Sequence, residues 1–282
     1  MTAIDHYREM VQAYFAQRER LGIAALDSRR WSEVAPGYRF DPHRELGTNL
    51  SVLASYVEPD DVVVEVGGGA GRTALPLALT CKHVVNVEPA EGMRVEFESL
   101  AAEAEIANVT LVASTWEDAP ELSTDIALVV DVTYFVAEIE PFLAKLDTTA
   151  GRRAIVSIWD PPPPNWDATL FELVHGEPLA PVPGQQALLP VLWEMGVLPE
   201  VLILPEPFSW PSPTLESREE AARYALGDVE AEPGGEQEQR LESEFDSLFR
   251  YEAGEFHPRW RPEAPGVLIT WEAGQRRDGV GA

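Results

Sequence analysis

Glu65-Val66-Gly67-Gly68-Gly69-Ala70-Gly71 joins a β-branched run to a helix-forming stretch. Glycine lets a chain turn sharply and lets a ligand touch the backbone. The first turn of a following helix leaves N–H groups without intrahelical partners, a setting that favours a carboxylate or phosphate. The spacing is G-x-G-x-G, with an acid two residues ahead of the first glycine. A dinucleotide fingerprint requires G-x-G-x-x-G, and its third glycine would fall on Arg72. A Walker loop is excluded because no Gly-Lys-Ser/Thr follows. Glu88 stands 21 positions after Gly67, where the next strand should end. A carboxylate offers two acceptor oxygens and no donor, which suits a ribose 2′,3′-diol and repels a 2′-phosphate.

The elements that must position these residues follow from pattern. Ile4, Tyr7, Val11, Tyr14 and Phe15 recur at spacings of three and four, predicting an amphipathic helix over about 2–20. Residues 27–42 are broken by Gly37 and Pro42, and a second helix is expected from His43 to Tyr56. Then strands and helices alternate: strand 62–66, helix 73–79, strand 83–88, helix 92–104, strands 109–113 and 125–130, helix 139–146 and strand 153–159. Pro76 is expected to loosen the first of these helices. Such βαβ alternation implies a doubly wound, mostly parallel sheet with helices on both faces. After Trp159 the prolines 161–164 form a stiff connector. Helices at 167–175 and 186–195 and strands at 201–204 and 267–271 complete an α/β chain of seven strands. A helical insertion is expected at 211–262, with Asp228–Gln239 as a mobile acidic loop. The division is an N-terminal helical cap over 1–45, a main domain over 46–273 and a flexible tail over 274–282.

Composition narrows the partners. The 282 residues carry 21 basic and 48 acidic side chains, a net charge of −27. That surface repels phosphate backbones and anionic lipid, so neither nucleic acid nor membrane is an expected partner. No apolar run reaches spanning length, and the N-terminus lacks signal-peptide order. With Cys81 alone, no intrachain disulfide can form, and a cytoplasmic setting is the simplest expectation. No His/Cys cluster has metal-ligand spacing, so no metal is expected. The absence of G-x-S-x-G argues against a hydrolase.

Val63–Gly71, Asn86-Val87-Glu88-Pro89 with Met93, Ala113–Asp118 and Asp125–Tyr134 together resemble the class I S-adenosylmethionine (SAM)-dependent methyltransferases. Phe142-Leu143, Arg152–Val156, Leu173–Gly176 and Ala187–Gly196 also resemble a poorly characterised bacterial group of that superfamily. The resemblance implies a Rossmann-like methyltransferase fold and SAM as co-substrate. It places Gly67, Gly69 and Gly71 under the methionine part, with Glu65 positioning that loop. Glu88 would hold the ribose, Pro89 and Met93 would flank the adenine, and Thr115 and Trp116 would edge it. Where the family often has an acid at the Thr115 position, Glu117 or Asp118 would have to serve. Asp131, Val132 and Tyr134 would lie where cofactor and acceptor meet.

The expected activity is in-line methyl transfer to a small-molecule, apolar or aromatic acceptor. Asp131, Tyr134, His175 and His257 are the candidates for any proton transfer. Trp116 reads equally well as core packing. The alternatives are a catalytically silent protein that binds SAM or S-adenosylhomocysteine and, opposed by Arg72, a nicotinamide-dependent oxidoreductase. Pro161–Pro164 with Asn165-Trp166 imitates an N-methyltransferase signature but follows the wrong strand. The residues carry no signal for oligomeric state or for the atom methylated.

Overall fold

The computed structural model describes residues 1–207 and 214–274. The expected tail beyond Gly274 and the first three residues of the expected insertion lie outside the described residues.

Valine and isoleucine dominate the central strands, because both faces of a parallel sheet are covered. In chain order the strands are β1 (Val62–Val66), β2 (His83–Val87), β3 (Val109–Val112), β4 (Thr124–Val130), β5 (Ala150–Trp159), β6 (Glu200–Pro207), β7 (Phe249–Glu252), β8 (Glu255–Pro258) and β9 (Pro265–Glu272). Seven of them form one sheet in the order β3-β2-β1-β4-β5-β9-β6. β1 to β5 pair in parallel, and β9 runs antiparallel between β5 and β6. This is the expected seven-stranded, mostly parallel sheet.

The helices are α1 (Ala3–Arg20), α2 (Ser28–Val34), α3 (Thr48–Ala54), α4 (Ala74–Ala78), α5 (Glu91–Glu103), α6 (Ile139–Thr149), α7 (Ala168–His175), α8 (Gln185–Glu194), α9 (Arg218–Asp228) and α10 (Glu236–Leu248). Side chains alternate across each strand, so two cores form. Val64, Val66, Ala127 and Val129 face one way, against Tyr7 and Val11 of α1, Leu143 of α6 and Val191 of α8. Val63, Val84, Ile126 and Leu128 face the other way, against Leu75 of α4 and Met93 and Phe97 of α5. A third core joins Leu170 and Phe171 of α7 to Ala221 of α9 and Leu241 and Phe245 of α10. Each fully buried apolar side chain contributes about 1.5–3 kcal/mol.

Four expectations change. The helix expected over His43–Tyr56 is only α3, because Asp41 turns the chain: its Oδ1 accepts from the His43 amide and its carbonyl from the Arg44 amide. The helix after the glycines shortens to α4, because Pro76 has no N–H for the Arg72 carbonyl. That carbonyl accepts instead from Arg44 Nη2 at 2.7 Å. The loop expected over Asp228–Gln239 is shorter, since Asp228 ends α9 and α10 starts at Glu236. The insertion also holds the β7–β8 hairpin, closed by Ala253 and Gly254 at φ 54° and 94°.

Candidate functional site

Strand order reverses between β1 and β4, which leaves a crevice beyond their carboxyl ends. Two loops flank it. The first, Gly67–Gly71, is held by its own backbone: Gly67 N donates to Val87 O at 2.8 Å and Gly71 N to Gly68 O at 2.9 Å. Gly67, Gly69 and Gly71 have φ of 68°, 54° and 89°. Their surroundings differ. A Cβ on Gly67 would lie 2.6 Å from Val132 Cγ2, and one on Gly71 2.6 Å from Leu75 Cγ. Those two glycines let protein pack on protein. A Cβ on Gly69 would meet only Met93 Sδ within 4 Å, at 3.5 Å. Gly69 therefore turns its bare backbone toward open space.

Glu88 and Asn86 tie Gly69 down from both sides. Glu88 Oε2 accepts from Gly69 N at 3.0 Å, and Oε1 accepts from Ala90 N at 2.7 Å. Asn86 Nδ2 donates to Gly69 O at 3.1 Å. Burial pushes the Glu88 carboxyl above its ordinary pKa, against the pull of those two amides. Each carboxylate oxygen keeps a lone pair for a further donor. Met93 is buried beside this corner, while Pro89 is exposed and gives its carbonyl to Arg94.

Glu65 is registered beside Asn86 on neighbouring strands, so both point to the same face beneath the loop. Both are buried, and Glu65 Oε2 and Asn86 Oδ1 have no hydrogen-bond partner. The two oxygens lie 2.9 and 2.6 Å from where a Gly68 Cβ would stand. Desolvation lifts the Glu65 pKa to about 7, although Arg72, the Ala74 amide and the Thr73 hydroxyl oppose it.

The second loop leaves β4 at Asp131, which has φ 60°. Its Oδ2 accepts from Arg72 Nη2 at 2.9 Å and from Trp159 Nε1 at 3.1 Å. Its Oδ1 accepts from the Tyr134 hydroxyl at 3.1 Å, and that hydroxyl accepts from Trp159 N at 2.6 Å. Tyr134 is buried, and desolvation raises its pKa well above the usual phenol range. Its hydroxyl bridges Asp131 and the Trp159 amide. Val132 packs over Gly67, joining the two loops.

The N-terminal segment crosses this edge of the sheet. On one face, Tyr7 of α1 donates to Thr133 O at 2.8 Å. On the other, Gly92 N at the start of α5 donates to Ser32 Oγ of α2 at 3.0 Å. Residues 21–27 join these two docked helices into an N-terminal strap, with Leu21 and Ile23 packed against the third core. Tyr38, partly buried after α2, lies in the field of both Arg72 and Asp131.

The remaining candidates lie elsewhere. Thr115 is exposed and exchanges hydrogen bonds with Asp118, at 3.2 and 3.3 Å. Trp116 is buried in the core, with its indole N–H on Phe142 O at 3.2 Å and Lys145 Nζ over its ring. His175 stacks on Phe171, with Nε2 2.9 Å from Val229 O and Nδ1 3.2 Å from Gln237 Nε2. His257 lies on β8 of the hairpin, opposite Arg250. The structure thus gathers Glu65, the glycines, Glu88 and Met93 at one corner, and Asp131 with Tyr134 at the other. Arg72 and Trp159 are the residues the sequence reading missed. Arg72 was legible only as a misplaced residue in another fingerprint, since its partner lies 59 positions away.

Among the described residues no group of three or more His, Cys, Asp or Glu is placed to hold a metal ion, and no helix is long and apolar enough to cross a membrane. Residues 64–151 match the family described as a methyltransferase domain. Among curated proteins, none matches the chain. The YcgJ protein of Bacillus subtilis superposes with a TM-score of 0.53 at 14% identity, covering 82% of this chain and 99% of its own. A putative methyltransferase from Bacillus halodurans superposes with a TM-score of 0.54 at 13% identity, covering 80% and 99%. The matched domain spans β1 to the start of β5 and contains both loops of the crevice. The methyltransferase-domain match and the strand order agree with the expected class I SAM-dependent methyltransferase resemblance.

Proposed function

We propose that the protein transfers the methyl group of SAM to a small-molecule acceptor. The observation that carries this reading is the corner at the switch point, where the bare Gly69 backbone and the Glu88 carboxylate sit side by side. The residues fit the group: Gly69 leaves room that a side chain would fill, and Glu88 keeps acceptor capacity for a diol. When bound, SAM supplies an electrophilic methyl on a sulfonium.

Gly69 lets the ligand approach the main chain, Glu88 accepts from the ribose hydroxyls, and Met93 packs beside the base. Glu65 props the loop from beneath. Asp131, locked by Tyr134 and Trp159, borders the space beside the reacting atoms. In this reading the adenine is not edged by Thr115 or Trp116, because the hydroxyl of one serves Asp118 and the ring of the other serves the core. The Tyr134 hydroxyl and both His175 ring nitrogens are engaged within the protein, so neither is retained as a base. Catalysis then rests mainly on holding donor and acceptor in line.

A small acceptor is favoured because the net charge of −27 disfavours polyanions. Incubation with SAM and a panel of apolar and aromatic acceptors should yield one product heavier by a methyl substitution, with equimolar S-adenosylhomocysteine. Tight binding of S-adenosylhomocysteine without turnover on any acceptor would favour a silent binding protein.

A further inference from the structure

The helical cover of the sheet stops one strand short of an edge. β6 is the outermost strand, with β9 on its inner side. Val201 and Ile203 are registered with Ile269 and Val267, so they point to the face that α8 covers with Val191 and Leu192. Ile269 and Val267 are buried there, but Val201 and Ile203 stay 45% and 68% exposed. On the other face Leu202 is 42% exposed, and Trp193 and Leu198, just ahead of the strand, are more than half exposed. Of the nine large apolar side chains that stand exposed among the described residues, these are five. The opposite edge, β3, exposes only Thr110.

An apolar, uncovered edge strand is a template for another strand. The chain itself sets the open length. Pro199 precedes the strand, and Pro205 and Pro207 have no N–H to give. Asn49 of α3 occupies the Glu206 backbone, donating to its carbonyl at 2.8 Å and accepting from its amide at 3.0 Å. Residues 200–204 remain. Under a two-fold axis, two such stretches run antiparallel and overlap fully with Leu202 opposite Leu202. Val201 then faces the second copy's Ile203 and Glu200 faces its Leu204, so no acid meets an acid.

Charge and area favour the same occupant. In a chain of net charge −27 a second copy is repelled except where charge is missing. From 195 to 205 the only charged side chain is Glu200, and Arg153 Nη1 lies 3.5 Å from its carboxylate. A stable interface takes about 800 Å² from each partner. A partly exposed tryptophan, four partly exposed aliphatic side chains and a strand edge supply area of that order, with the apolar character of homodimer interfaces. We propose that β6 is the surface through which this protein pairs with a second copy of itself, the two β6 strands running antiparallel about an axis at Leu202 and joining two seven-stranded sheets into one. The pairing is independent of the SAM reading.

Sedimentation of the full chain tests it. The wild type should run as a dimer at about 10 μM. Ile203→Lys puts on the edge the charge that monomeric proteins place there, and should weaken the dimer by about a hundredfold or more. Its circular-dichroism spectrum should not change, because the side chain is already exposed. Val95→Lys, at an exposed apolar residue of α5, should leave the dimer intact. Leu202→Cys should be joined to its copy by a short bismaleimide, whereas the wild type should not, since its one thiol, Cys81, is buried. A monomeric wild type, a dimer that Ile203→Lys leaves intact or that Val95→Lys also breaks, or a dimer that Leu202→Cys does not cross-link would overturn the proposal. Should Ile203→Lys lose its native spectrum, the cross-link decides.

Discussion

A carboxylate with an unpartnered oxygen in a protein interior is costly, and Glu65 is such a group. Its pKa is lifted from 4.5 to about 7, so the native state holds this proton more tightly than the unfolded chain does. The resulting stability is full below about pH 4.5 and is lost as pH rises to about 7. Glu65→Gln removes the ionisation and offers an N–H close to the unpartnered Asn86 Oδ1. The variant should match the wild type at pH 4.5 and exceed it by about 3 kcal/mol at pH 8, read from denaturant midpoints. A wild type that stays level between those pH values would show that the carboxylate is already paired. At this scale the glycine corner was legible, because Gly67, Gly69 and Glu88 lie within one βαβ unit and obey a fixed spacing. Asp131 was legible only as a position. What it does depends on Arg72, Tyr134 and Trp159, and the Arg72 and Trp159 contacts form only when β1, β4 and β5 come together.

At the scale of elements, the N-terminal strap depends on one close approach. A Cβ on Gly92 would stand 2.5 Å from Ser32 O and 2.7 Å from Ser32 Cα, both backbone atoms. Gly92→Ala should push α2 from α5 and cost about 1–3 kcal/mol, the usual range for overpacking. A melting temperature equal to the wild type would mean the strap is loosely docked. The insertion has its own clamp. Arg261 Nη2 reaches Asp228 Oδ2 at 2.5 Å, its Nε stands 3.6 Å from Asp167 Oδ1, and Trp260 Nε1 donates to that same oxygen at 2.7 Å. Burial, with Asp167 nearby, lifts the Asp228 pKa to about 6. Arg261→Met leaves two partly buried carboxylates without a cation, a loss of about 1–3 kcal/mol at neutral pH. The deficit should shrink below about pH 6, where Asp228 is protonated and needs no cation; a pH-independent deficit would assign the loss to packing. The long strands were readable because their apolar runs are uninterrupted. The β7–β8 hairpin was not, because Arg250, Glu252, Glu255 and His257 dilute its alternation and its turn begins with Ala253 where Asn or Asp is usual.

Across the whole molecule, a sheet with two covered faces leaves its carboxyl edge as the place where loops from different strands can meet a ligand. The chain uses that edge throughout: the glycine loop follows β1, Glu88 follows β2, Asp131 follows β4, and the N-terminal segment ties across them. The acidic surface adds a constraint on what approaches, since neutral or cationic small molecules are not repelled by a net charge of −27. The central claim is that an adenosyl ligand is gripped between Gly69 and Glu88, and calorimetric titration of S-adenosylhomocysteine into wild-type protein and Glu88→Ala tests it most directly. Saturable binding is expected of the wild type, with a loss of about 1–3 kcal/mol in the variant through the missing bonds to the ribose. Equal affinities, or no heat from the wild type at millimolar ligand, would contradict it.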